Sequence, residues 1–130
     1  MANEHKRELR ARAFQMAIVV FRLYPRLAAA GPGHAFIARQ LLRAATSIGA
    51  NLEEGTAPSS RRDMAAKHAI ALREAREANF WARIAATDRK WATELDPIVR
   101  ETGEFVAMLT VSVKKLRRPA AEPADPAPDL

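Results

Sequence analysis

Leu9, Ala13, Met16, Val20, Leu23 and Leu27 recur at alternating spacings of four and three, which sets them on one face of a helix. This stripe predicts a first helix from about Glu4 to about Ala29. Pro25 falls inside it, and proline removes a backbone donor and crowds the preceding turn, so a kink or break is expected near Leu23–Tyr24. Gly31-Pro32-Gly33 is a turn signal. A second helix is predicted from about His34 to about Glu54, with Ile37, Leu41, Ala44, Ile48 and Asn51 or Leu52 facing inward. Gly49 in its interior costs roughly 1 kcal/mol against alanine, which close packing or a local bend has to offset. Gly55 is suited to end the helix.

After a loop at 56–59, Ser60 and Asp63 resemble a capping box with Asp in place of Glu. The third predicted helix runs from about Arg61 to about Arg89. Met64, Ala71, Ala75, Ala78, Ala82 and Ala85 form a seam of small residues that lets helix axes approach closely. Ile70, Phe80, Trp81 and Ile84 flank the seam, so this helix has apolar surface for two neighbours, one of them open to another subunit. Trp91 follows a charged break at Asp88-Arg89-Lys90, and Asp96-Pro97 reads as a cap followed by proline at the first helical position. A fourth helix is predicted from Pro97 to about Leu116, with Ile98, Thr102, Phe105, Leu109, Ser112 and Leu116 on one face. The expected organisation is one bundle over residues 1–118 and a Pro/Ala-rich tail at 119–130, expected to be disordered or extended. No segment carries the strand period, so the fold class is all-α, an antiparallel up-down four-helix bundle.

Within the second helix, Arg43, Ser47 and Asn51 line up at i, i+4 spacing beside the seam of Leu41, Ala44, Ile48 and Leu52. Small polar groups beside a seam suit specific hydrogen bonds to a neighbouring helix. If the second and third helices run antiparallel, Glu74 or Glu77 is the expected acceptor. Such a network fixes helix register and oligomer geometry; a polar pocket or nucleic-acid contact is the other reading.

Apolar residues make up 48% of the 130 residues and aromatics only 6%, which favours close helix packing over a deep aromatic pocket. There is no cysteine, which excludes a disulfide framework and a thiolate metal site. No apolar run reaches membrane-span length, and the charged N-terminus lacks the apolar region of a signal peptide, so the expected location is cytoplasmic. His5, His34 and His68 are far apart, and neither the Glu-x-x-His pattern of di-iron bundles, a phosphate-binding glycine loop nor a nucleophile elbow occurs. Ser47 lacks a predicted base. No enzyme activity, cofactor or metal is expected.

The formal net charge is +6, and the tail holds three acids and no base, leaving +9 on residues 1–118. That balance suits a polyanion partner. Lys6, Arg7, Arg10 and Arg12 open the first helix, and Lys114, Lys115, Arg117 and Arg118 close the fourth. Antiparallel neighbours bring these two clusters to one end of a bundle, which selects them over Arg61 and Arg62 as nucleic-acid contacts.

Residues Arg43 to Gly55 resemble the Arg-Ala-Ala-x-Ser-Ile-x-Ala-Asn-Ile-x-Glu-Gly stretch of the four-helix-bundle proteins of the 23S rRNA intervening-sequence type. Ala71 to Trp81 resembles a second block of that family, Ala-Leu-x-Glu-Ala-x-Glu-x-x-Tyr-Trp. The likeness spans roughly residues 34–116. Leu52 stands for the usual Ile, Glu53 for a usual Ala, and Gly49 where Pro is common. The resemblance implies an up-down bundle assembled into a homopentameric ring. It also implies kinship with the accessory proteins of diversity-generating retroelements, where a basic pentamer binds nucleic acid and a reverse transcriptase. The resulting expectation is a non-catalytic oligomer that binds RNA or DNA as a scaffold or accessory factor. The alternative is a structural or protein-interaction oligomer without a nucleic-acid partner.

Overall fold

The computed structural model describes residues 2–56 and 60–119, with side chains from Arg7 onward. The Lys6 side chain, the loop at 57–59 and the tail beyond Pro119 lie outside the described residues. The architecture is α1 (Ala2–Ala28), α2 (Pro32–Glu54), α3 (Arg61–Ala86) and α4 (Arg89–Arg117), with no strand among the described residues. No helix among the described residues is long and apolar enough to cross a membrane.

Cross-helix contacts give the chain direction. Arg12 meets Glu101 while Arg26 meets Glu94, so α1 and α4 run antiparallel. Phe36 meets Trp81 while Gly55 lies against Lys67, so α2 and α3 do the same. Arg61 meets Leu116 while Asn79 meets Val99, which orients α3 against α4. The helices thus form an up-down four-helix bundle in which α3 packs on both α2 and α4.

The apolar stripes meet at the centre. Val20, Leu27, Leu41, Ile48, Leu95, Phe105 and Leu109 are buried, as is the stripe of Ala71, Ala75, Ala78 and Ala82. Truncating a buried ring such as Phe105 to alanine costs about 3–5 kcal/mol in cores of this kind. Gly49 faces Ala13 of α1, and a Cβ added there would stand 3.8 Å from the Ala13 carbonyl oxygen, an ordinary contact distance. Gly55 is tighter: a Cβ would stand 3.4 Å from the Asn51 carbonyl oxygen and 3.5 Å from both the Lys67 Cβ and the His68 ring. Its φ of −66° is right-handed, so this helix end does not use the left-handed glycine cap that the sequence suggests.

Neither interior proline marks a helix boundary. α1 continues through Pro25 to Ala28, with the Ala29 N–H donating to the Pro25 carbonyl at 3.2 Å. Pro25 is on the solvent side, where water can satisfy the carbonyl one turn back, and the buried Leu23 and Leu27 hold the helix on either side of it. α4 begins at Arg89 rather than Pro97. Asp88 is its N-cap, accepting from the Lys90 N–H at 3.0 Å, and Pro97 sits inside the helix with an exposed side chain. Leu95 is fully buried and Trp91 packs against the core, so apolar contact anchors the turns before Pro97. α3 accordingly ends at Ala86, not Arg89. α2 starts at Pro32, which occupies the first turn after Gly31. At the start of α3, Ser60 Oγ accepts from the Asp63 N–H at 3.1 Å.

Candidate nucleic-acid interface

The antiparallel order gathers the start of α3 and the end of α4 at one end of the bundle. Lys114, Lys115, Arg117 and Arg118 are exposed there, as are Arg61 and Arg62. Arg61 Nε donates to the Leu116 carbonyl at 3.1 Å, and its Nη2 donates to the Lys115 carbonyl, capping the last turn of α4. A cleft of about 480 Å3 opens between Arg61, Arg62, Ala66, Leu116 and Arg117. None of these six bases forms an ion pair among the described residues. Arg61 and Arg62, expected outside the cluster, therefore join it, because antiparallel packing brings the start of α3 to the end of α4 just as it does the start of α1.

The α1 cluster divides. Arg7 is exposed and Arg10 half-buried, Arg10 lying with Phe14 and Glu53 along the α1–α2 groove. Arg12 turns inward. Its guanidinium donates to both Glu101 and Glu104, approaches Met108 Sδ at 3.6 Å, and stacks 5.7 Å from the centroid of the Phe105 ring. Hydrogen bonding to Glu101 raises the Arg12 pKa further above its ordinary value, and the bond from Arg12 holds the Glu104 carboxyl below the usual carboxylate range. Arg12 is thus a clasp between α1 and α4, with its charge directed to carboxylates instead of solvent.

The polar row of α2 also divides. Arg43 Nη1 donates to Glu74 at 3.2 Å and its Nη2 donates to Glu77, spanning the α2–α3 seam. Glu74 is buried. Burial pushes the Glu77 carboxyl up, but hydrogen bonds from Trp81 Nε1 and Arg43 outweigh it and hold the pKa below the usual range. Ser47 and Asn51 stay within α2: Asn51 Nδ2 donates to the Ser47 carbonyl at 2.8 Å and to Ser47 Oγ at 3.2 Å. Two further polar links tie α4 to α3, His68 Nδ1 with Ser112 Oγ at 2.6 Å and Asn79 Nδ2 donating to the Val99 carbonyl at 3.0 Å. At the opposite end, His34 Nε2 meets Asp88 Oδ2 at 2.8 Å. Among the described residues, no group of three or more His, Cys, Asp or Glu side chains comes together as a metal site would require.

Residues 5–111 match the family of 23S rRNA-intervening sequence proteins. Among solved structures, the chain is similar to a protein of unknown function from the S23 ribosomal protein family of Bacteroides thetaiotaomicron. The identity is 27%, the TM-score is 0.71, and the match covers 82% of this chain and 98% of the other. No curated protein matches the chain.

Proposed function

The chain belongs to the family of 23S rRNA-intervening sequence proteins, and on that premise we propose that it is a non-catalytic, oligomeric bundle that binds nucleic acid through its basic end as a scaffold or accessory factor. The observation that carries this reading is the convergence of Arg61, Arg62, Lys114, Lys115, Arg117 and Arg118 at one end without an opposing carboxylate. Six unpaired cations at one end attract phosphates and release their counterions. Arg61 caps α4, and Lys114, Lys115 and Arg117 suit the negative end of its dipole, but the cluster as a whole still concentrates positive charge without carboxylates to neutralise it. The rRNA context of the family favours RNA over DNA.

Self-association, including the pentameric ring, is supported by a second surface. Phe14 and Phe21 of α1 are 62% and 67% exposed, and Ile18 lies between them on the same helical face. A contact between this face and a different face of the next copy would be head-to-tail, the type that closes rings. A ring multiplies a weak site on each subunit. The same apolar face also favours the alternative, a protein-interaction oligomer with no nucleic-acid partner.

Binding of the full chain to an unstructured labelled RNA, followed by fluorescence anisotropy across a salt series, separates the two. The nucleic-acid reading expects an affinity that falls linearly on a log–log plot with salt, with a slope of about −0.7 for each phosphate contacted on a single strand. Absence of binding at low salt, or binding indifferent to salt, would overturn it.

A further inference from the structure

The outer face of α3 shows the four–three period of the apolar seams in a different chemistry. Arg62, Arg73, Arg76 and Arg83 are exposed along it and make no ion pair among the described residues, although the charge of Arg73 helps to hold the neighbouring Glu77 carboxyl down. Ala66 and Ala69 leave a shallow stretch between the first two arginines, Phe80 sits between the last two, and no acid interrupts the row. The row begins in the basic cleft at Arg62 and extends about 30 Å along the helix at the usual rise per residue.

Its far end is aromatic. Phe80 and, on the adjoining turn of α2, Phe36 are 47% and 46% exposed. Each meets the Trp81 ring edge-on, with centroids 5.1 Å and 5.7 Å away. Trp81 is in turn fixed by its hydrogen bond to Glu77. The two phenylalanine rings are therefore braced while nearly half of each faces solvent. A groove of about 340 Å3 opens beside Phe36, between Ile37, Ile84 and Ala85, with the paired His34 and Asp88 on its polar edge.

We infer that this face is a track for single-stranded RNA, in which the arginines of α3 contact phosphates along the strand and Phe36 and Phe80 stack unpaired bases. This inference rests on the nucleic-acid reading of the basic end and names the form of nucleic acid bound. Arginines beside braced, half-exposed aromatics are the combination that holds single strands without sequence readout. A duplex hides its base faces and gains nothing from the phenylalanines. A second copy of the chain is a poor fit, because its apolar α1 face offers no acids to this row. Covering the row with that face would strand unpaired cations in the contact.

The test uses the full chain with labelled oligouridine, an abasic single strand of equal length, an RNA duplex and oligothymidine. Phe80→Ala is expected to weaken oligouridine binding roughly five- to hundredfold while leaving the abasic strand unaffected. Arg73→Gln with Arg76→Gln is expected to weaken both. Unchanged circular dichroism checks that each variant folds. Wild-type affinity for oligouridine in these variants, preference for duplex or for oligothymidine, or a change in subunit number on light scattering with Phe80→Ala would each overturn the inference. If these variants bind normally while Lys114→Gln with Lys115→Gln does not, the basic-end reading stands and the track falls. If the wild-type chain binds none of the probes, both fall.

Discussion

Arginines in two regions of this bundle behave in opposite ways. In the seams, Arg12 joins α1 to Glu101 and Glu104 of α4, and Arg43 joins α2 to Glu74 and Glu77 of α3. On the outer face of α3 and at the basic end, arginines and lysines face solvent with no carboxylate partner among the described residues. One side-chain type thus does two jobs, set by what the facing helix offers. The seam arginines supply positional specificity, since guanidinium–carboxylate pairs tolerate little shift in register. Arg61 also caps the last turn of α4; the other outer cations make no ion pair across a seam, which leaves them available to an anion.

The contrast can be broken most forcefully at the basic end. Replacing Lys114, Lys115, Arg117 and Arg118 together by Gln should lower the salt slope of RNA binding by roughly 3, at about 0.7 per lost phosphate contact. The melting temperature should barely move, because exposed substitutions of this kind stay within about 0.5 kcal/mol. The converse change, Arg43→Ala, leaves the buried Glu74 without its cation. Chemical denaturation should show a loss of about 1–3 kcal/mol, the cost of an unsatisfied buried polar group, with RNA affinity unchanged.

Acidification tests the seam pairs together. Glu77, Asp88, Glu94 and Glu104 all have pKa values held below the ordinary carboxylate range. A carboxyl whose folded pKa lies below its unfolded one binds fewer protons in the folded state, so its contribution is complete above the unfolded value and is lost as pH falls through the folded one. These carboxyls should make thermal melts decline as the pH falls below about 4. Arg43→Ala and Arg26→Ala should shrink that decline. The smallest effect belongs to Gly49. Its Cβ position is an ordinary contact distance from Ala13, so Gly49→Ala should stabilise the chain by roughly 0.5–1 kcal/mol through helix propensity.

Much of the fold is legible in the residues because period alone carries it. The stripes from Leu9 to Leu27 and from Ile98 to Leu109 mark buried faces without further information, and Arg43 points to its acceptors once the helices are antiparallel. The start of α4 is obscured by Asp96-Pro97, a strong local signal for a helix start. Trp91, Leu95 and Ile98 carry the apolar period through it, and core burial prevails over the proline. Arg12 reads as one more base in a basic run because its acceptors lie about ninety residues away on α4. The α3 arginines are hidden for another reason. Arg62, Arg73, Arg76 and Arg83 are unevenly spaced along the chain, with Ala66, Ala69 and Phe80 filling the rest of the face, so no run of charge marks it.

A localised interface requires that binding depend on where the cations sit and not on how many there are. Two double variants that remove equal charge test this directly: Arg12→Gln with Arg43→Gln in the seams, and Arg117→Gln with Arg118→Gln at the basic end. In a salt series on the same RNA, the account predicts an unchanged slope for the seam pair and a slope smaller by about 1.4 for the end pair. Equal losses in the two variants would show that net charge alone governs binding, and would contradict a localised interface.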